Sequence, residues 1–324
     1  MKALVYTGPE QLEVRDAAEP SVAPDQILLE LAGCGICGSD MHAYLGHDER
    51  RPAPLILGHE TAGTDAAGGR WTVNPLLSDP ASRATQERRD NLCPNRQIIS
   101  MPPREGAFAA RLAMRRENLI AVPDHVPLTK AALAEPLACG WHAMRLAERI
   151  SHTPIAEAAC LAIGGGAIGL GAALALRAAG AKEVWLAETN PLRREIVARE
   201  DGIRVFDPTT DKAPEAEIVI DGVGLEPTRA LSSAAATPGG VILHIGLGSA
   251  SGGLDIRRMT LQEIAFIGTY TYTMAHFRET AEAIFDGSLG ALDWIEERAL
   301  EDGPAAFEDI RAGRAAAPKI ILIP

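Results

Sequence analysis

The chain has 324 residues, 47% of them apolar and 23% charged, and carries a net charge of −12. That length predicts two domains rather than one small core. The acidic balance, with no Lys/Arg cluster against it, argues against nucleic acid or anionic lipid as a partner, and five cysteines are too few for a disulfide framework. The N-terminal MKALVYTGPEQLEV has neither an apolar h-region nor a cleavage signal, so a cytoplasmic location is expected. Residues 158–176 are uncharged and long enough to span a bilayer, but five of them are glycines, three consecutive.

In chain order, KALVYT, QLEVRDA and QILLELA read as short strands separated by the turn sequences GPE and EPSVAPD, the start of an all-β unit. Residues 73–130 are Pro-rich and irregular. Near residue 135 the texture changes: LAEPLACGWHAMRLAERI has the wide apolar face of a helix. ACLAIGG then reads as a strand, AIGLGAALALRAAGA as a helix, EVWLAE as a strand and NPLRREIVAREDGI as a helix. EIVIDGV and GVILHIGL follow as further strands, and PKIILIP ends the chain as a terminal strand. Alternating helices and continuously apolar strands predict an α/β fold with a doubly wound parallel sheet.

The glycines of residues 158–176 fall into place here. Gly164, Gly166 and Gly169 form G-x-G-x-x-G between a strand and a helix, and Glu188 closes the next strand 19 residues after Gly169. Together they make the βαβ dinucleotide fingerprint. The unpaired amides opening the helix at Ala167 and Ile168 face a pyrophosphate. Glu188 would accept hydrogen bonds from ribose hydroxyls and repel a 2′-phosphate, which favours NAD, whereas Arg193 and Arg194 keep NADP open.

GCGICGSDMH, residues 33–42, holds Cys34 and Cys37 in C-x-x-C spacing, and GHE places His59 beside Glu60, 22 residues after Cys37. Glu135 opens the long helix. Thiolate, imidazole and carboxylate are the usual zinc ligands. On spacing alone the cysteines could equally be half a zinc knuckle, a redox pair, or one working and one packed cysteine.

With GICGSDMH, GHETAG, NLCPNRQI, GAFA, AEPLACGWHA, GGGAIG and PKIILIP in this order, essentially the whole chain resembles the zinc-dependent medium-chain alcohol and polyol dehydrogenases, most closely their sorbitol-dehydrogenase-like branch. The resemblance implies a GroES-like β-barrel catalytic domain, residues 1–139 completed by 272–324, and a Rossmann NAD-binding domain, 140–271. It implies a catalytic zinc on Cys37, His59 and Glu60, with Glu135 a fourth ligand or the holder of a metal-bound water. Ser39 would relay the substrate proton, His42 would pass it to solvent, and Asp40 would orient the ligand histidine. Zinc would acidify the substrate hydroxyl so that the alkoxide gives a hydride to NAD. A homodimer or homotetramer acting on a small alcohol or polyol is expected. A zinc-free NADPH quinone or enone reductase, or a non-catalytic nucleotide-binding protein, are the alternatives.

Three departures qualify that resemblance. The family's structural zinc sits on four cysteines, whose positions here hold Asp79, Ser82, Thr85 and Cys93, so only the catalytic zinc is expected. Only TDAAG separates GHETAG from GRWTVNP, which predicts a trimmed barrel edge. Thr271 and Tyr272 stand where sorbitol dehydrogenases carry an Arg-Tyr pair, which makes sorbitol itself a doubtful substrate.

Overall fold

The computed structural model describes residues 1–324 as two large sheets, with a three-stranded and a two-stranded sheet beside them, joined by helices. The first is a seven-stranded mixed sheet built on the strand Gln26–Gly35. The terminal strand Lys319–Ile323 inserts beside it, antiparallel to Gln26–Gly35 and parallel to Ile295–Ala299. The chain end therefore completes a sheet begun some 300 residues earlier. As the short TDAAG insert predicts, Glu60–Asp65 and Arg70–Val73 are joined directly as a tight hairpin. Asp65 closes it by accepting the amides of Ala67 and Gly69.

The second sheet has six parallel strands, from Ala159–Ile163 to Ala265–Gly268. Counted along the chain their spatial order is 3-2-1-4-5-6, the doubly wound arrangement whose direction reverses between Ala159–Ile163 and Ala216–Asp221. The central strands Ala159–Ile163 and Ala216–Asp221 are buried on both faces, as their apolar runs require. The strand Ala236–His244, which carries GVILH, lies inside this sheet, paired on both sides. The sheet's edges are Arg204–Phe206 and Ala265–Gly268.

Local chemistry sets the helix starts. Asn190 accepts the Leu192 amide at 2.9 Å with Pro191 in the first turn, and Thr273 caps Met274–Phe285. The helix expected over 190–203 ends at Val197. The apolar face stops there, and the chain turns through Gly202 at φ +77°. No helix is long and apolar enough to cross a membrane.

Candidate active site

The glycines of residues 158–176 occupy the switch point of the parallel sheet. Gly164 has φ +100°, a backbone that side chains rarely adopt, and a Cβ on Gly169 would lie 2.0 Å from the Gly164 carbonyl oxygen. This turn frees the amides opening Ala167–Ala178 toward a cleft of about 780 Å³. Gly164, Gly166, Ala167, Ile168, Gly169, Glu188 and Arg193 all line it. Glu188 is buried, accepts the Gly165 amide at 2.8 Å and the Asn190 amide at 2.6 Å, and has Arg193 at 3.6 Å.

The opposite wall comes from the mixed sheet. The strand Gln26–Gly35 delivers Cys37 to the start of the helix Gly38–Tyr44. The Cys37 amide donates to Asp40 Oδ2 at 3.0 Å, and the Gly58 amide donates to Asp40 Oδ1 at 3.1 Å. One carboxylate thus ties the Cys37 turn to the segment carrying His59. Ligand atoms of Cys37, His59 and Glu60 lie within 4.8 Å of one another. Glu60 Oε1 pairs with Lys319 Nζ at 2.7 Å, whereas buried Glu60 Oε2 has no partner. A soft thiolate, an imidazole and an orphaned carboxylate oxygen converging in this way fit a zinc ion.

Glu135 does not join that cluster. Tyr272 donates to its Oε1 at 2.6 Å, and burial, with Glu60 adding to it, pushes the Glu135 carboxyl up to about 7. Burial alone would lower the His59 imidazole, but Asp40 and then Cys37 turn the net shift upward. Asp40 Oδ1 is 3.5 Å from His59 Nδ1, and the Ser100 hydroxyl is nearer, at 3.3 Å. The Ser39 hydroxyl lies 3.5 Å from His59 Nε2. Ser39 and His42, one turn apart, line a second cavity of about 310 Å³ with Tyr272 and Thr271. Cys37, Gly38, Ile168 and Val223 border both this cavity and the cleft, so the two spaces meet at Cys37.

Cys34 is buried and free beside Cys37, which is free as well, so the C-x-x-C spacing forms no disulfide. Cys139, one turn beyond Glu135, reaches the cavity wall instead of lying wholly in the core. Sequence reasoning missed four residues. Lys319 opens an otherwise apolar terminal strand, and that lone charge was the available signal. Ser100 carries no sequence signal; it is held at φ +67° while its carbonyl accepts Arg51 Nε at 3.0 Å. Arg50 and Arg51 line the cavity mouth from a loop with no motif of its own.

Comparison with known proteins agrees with this architecture. Residues 23–124 match the alcohol dehydrogenase GroES-like domain family and residues 167–286 the zinc-binding dehydrogenase family. A probable (R)-acetoin-forming diacetyl reductase of Saccharomyces cerevisiae is 31% identical over 95% of this chain and 85% of its own length. A sorbitol dehydrogenase of Bacillus subtilis is 34% identical over 60% of this chain and 58% of its own. A solved protein of Sinorhizobium meliloti 1021, assigned as a zinc-binding dehydrogenase and bound to NADP, is 26% identical. It superposes with a TM-score of 0.89 over 100% of this chain and 99% of its own. The chain belongs to the zinc-dependent medium-chain alcohol and polyol dehydrogenase family.

Proposed function

We propose that this enzyme transfers a hydride between NAD and a secondary alcohol or polyol. The observation that carries the reading is the meeting of a dinucleotide cleft and a small polar cavity at Cys37, beside the Cys37–His59–Glu60 cluster. Cys37, His59 and Glu60 would hold one zinc. When bound, zinc supplies Lewis acidity that makes the substrate hydroxyl easier to deprotonate. Glu135, outside the cluster and drawn toward neutrality by burial, suits an acid–base or water-holding role better than a permanent charge.

The protein's own groups do the rest. The Ser39 hydroxyl accepts the proton of the reacting hydroxyl, and His42, on the same helix face three residues on, carries it toward solvent. Asp40 and Ser100 brace His59 from its Nδ1 side. The Gly164–Gly169 turn and the amides of Ala167 and Ile168 receive the pyrophosphate, and Glu188 the adenosine ribose. The Glu188 carboxylate faces the cleft and would repel a 2′-phosphate, which supports NAD; Arg193 is already engaged with it at 3.6 Å.

We further assign residues 1–139 with 272–324 to the catalytic domain and 140–271 to the cofactor domain. A single zinc per chain follows from the donor set at residues 79–93. A cytoplasmic homodimer or homotetramer is proposed, with the sheet edge at Ala265–Gly268 and exposed Leu261 and Ile256 nearby as its contact.

The test is Cys37→Ser, assayed by metal analysis, cofactor titration and turnover of C3–C6 secondary alcohols, diols and polyols with NAD and with NADP. The expected result is loss of zinc and of turnover with cofactor binding kept, and a kcat/KM ratio favouring NAD in the parent enzyme. A Cys37→Ser enzyme that still turns over would refute the reading.

A further inference from the structure

The cavity that receives the substrate is lined in a way its surroundings do not predict. The chain has 43 acidic and 31 Lys/Arg residues, yet a single carboxylate, Glu135, reaches this cavity, against two arginines, Arg50 and Arg51. Glu135 belongs to the end near the metal-binding cluster, where Glu60 lies beside it.

The arginines share one acid. Asp48 takes Nε and Nη2 of Arg50 at 2.8 and 3.0 Å and Nη1 of Arg51 at 2.5 Å. Burial alone would raise the Asp48 carboxyl, but the two guanidiniums hold it down to about 2, so it stays ionised. These three groups sum to +1; exposed Glu49, next to Arg50 in the chain, does not line the cavity. Arg51 is buried and committed, its Nε bound to the Ser100 carbonyl. The Arg50 side chain is 63% exposed and keeps Nη1 free at the mouth. Tyr270 lines the same cavity. Behind its ring lies Arg96, 4.7 Å from the centroid, which forms no ion pair at all. A positive rim on an acidic protein selects for an anion.

We propose that the substrate is a hydroxylated chain with an anionic end, a carboxylate or a phosphate, received by Arg50 at the cavity mouth while the reacting hydroxyl lies between Ser39 and Cys37. This rests on the dehydrogenase reading of the same site and names its substrate class. Thr271, lying where the family's arginine would contact a neutral polyol, offers no charge from that side. The cavity's cations are Arg50 and Arg51 instead.

The experiment compares NAD reduction with C4–C6 alditols, the same alditols phosphorylated at one end, and the matching aldonates, in the parent enzyme and in Arg50→Gln. Arg50 is surface-exposed, so the variant should fold as the parent does. The expected result is a kcat/KM at least about 10-fold higher for one anionic series than for the alditols. Arg50→Gln should lower it by about 10- to 100-fold while changing the alditols less than about 3-fold. Which series gains tells carboxylate from phosphate. Neutral alditols preferred over both anions, or equal losses for neutral and anionic substrates in Arg50→Gln, would overturn the inference and leave the dehydrogenase reading standing. No turnover in any series would overturn both.

Discussion

Two lobes of this molecule keep an old spacing and have treated it differently. At Cys37, His59 and Glu60 the donors are a thiolate, an imidazole and a carboxylate, and the surrounding charge is arranged for them. Lys319 meets Glu60, Asp40 faces His59, and one Glu60 oxygen is left without a partner. At Asp79, Ser82, Thr85 and Cys93 the four positions also come together, but as a hydrogen-bonded knot. The Asp79 amide donates to Cys93 Sγ at 3.4 Å, and the Ser82 and Thr85 hydroxyls lie 2.8 Å apart. The Asp79 carboxylate is spent on the Ala81 amide and the Asn95 side chain. Burial would raise the Cys93 thiol, but hydrogen bonds from Ser82, Asp79, Asn95 and Thr85 bring it below the usual value. The first lobe keeps an unmet demand for a cation; the second has met its own polar demands. Geometry survives a change of donor chemistry when hydrogen bonds can span the same gaps.

Metal removal probes this contrast most strongly. Treatment with a zinc chelator should abolish turnover while amide exchange across residues 79–95 stays as it was. Exchange that accelerates there, or two zinc ions per chain by metal analysis, would erase the distinction.

Next in size is the ion pair behind Glu60. Lys319→Met leaves a buried carboxylate uncompensated and should cost about 3–5 kcal/mol in denaturant unfolding, with most of it recovered in the double variant with Glu60→Gln. A loss below about 1 kcal/mol would mean that the pair is not what braces the first lobe.

The smallest effect belongs to the second lobe. Cys93→Ser keeps an acceptor at the centre of the knot and should shift stability by only about 1 kcal/mol, read as a change in thermal midpoint at unchanged zinc content. Loss of folding would show that the thiol does more than accept hydrogen bonds.

Much of this architecture is readable in one dimension because its signals are local. The strand Ala159–Ile163, the glycine turn after it and Glu188 fall within 30 residues, and Cys37, Ser39, Asp40 and His42 within six. Strand and helix periods and glycine spacing therefore pointed to the fold class and the cofactor turn, and the family resemblance implied the three donor side chains, Cys37, His59 and Glu60, that the structure brings together. What the sequence could not determine was long-range pairing. Lys319 reaches Glu60 across 259 positions because the last strand inserts beside Gln26–Gly35. Ser100 reaches His59 only because Arg51 holds its backbone at positive φ. Which strand forms the sheet edge, that Glu135 turns to Tyr272 and away from the cluster, and that Arg50 and Arg51 form the cavity mouth were decided by tertiary structure. Such contacts depend on where distant segments pack, and no local period in the sequence encodes that.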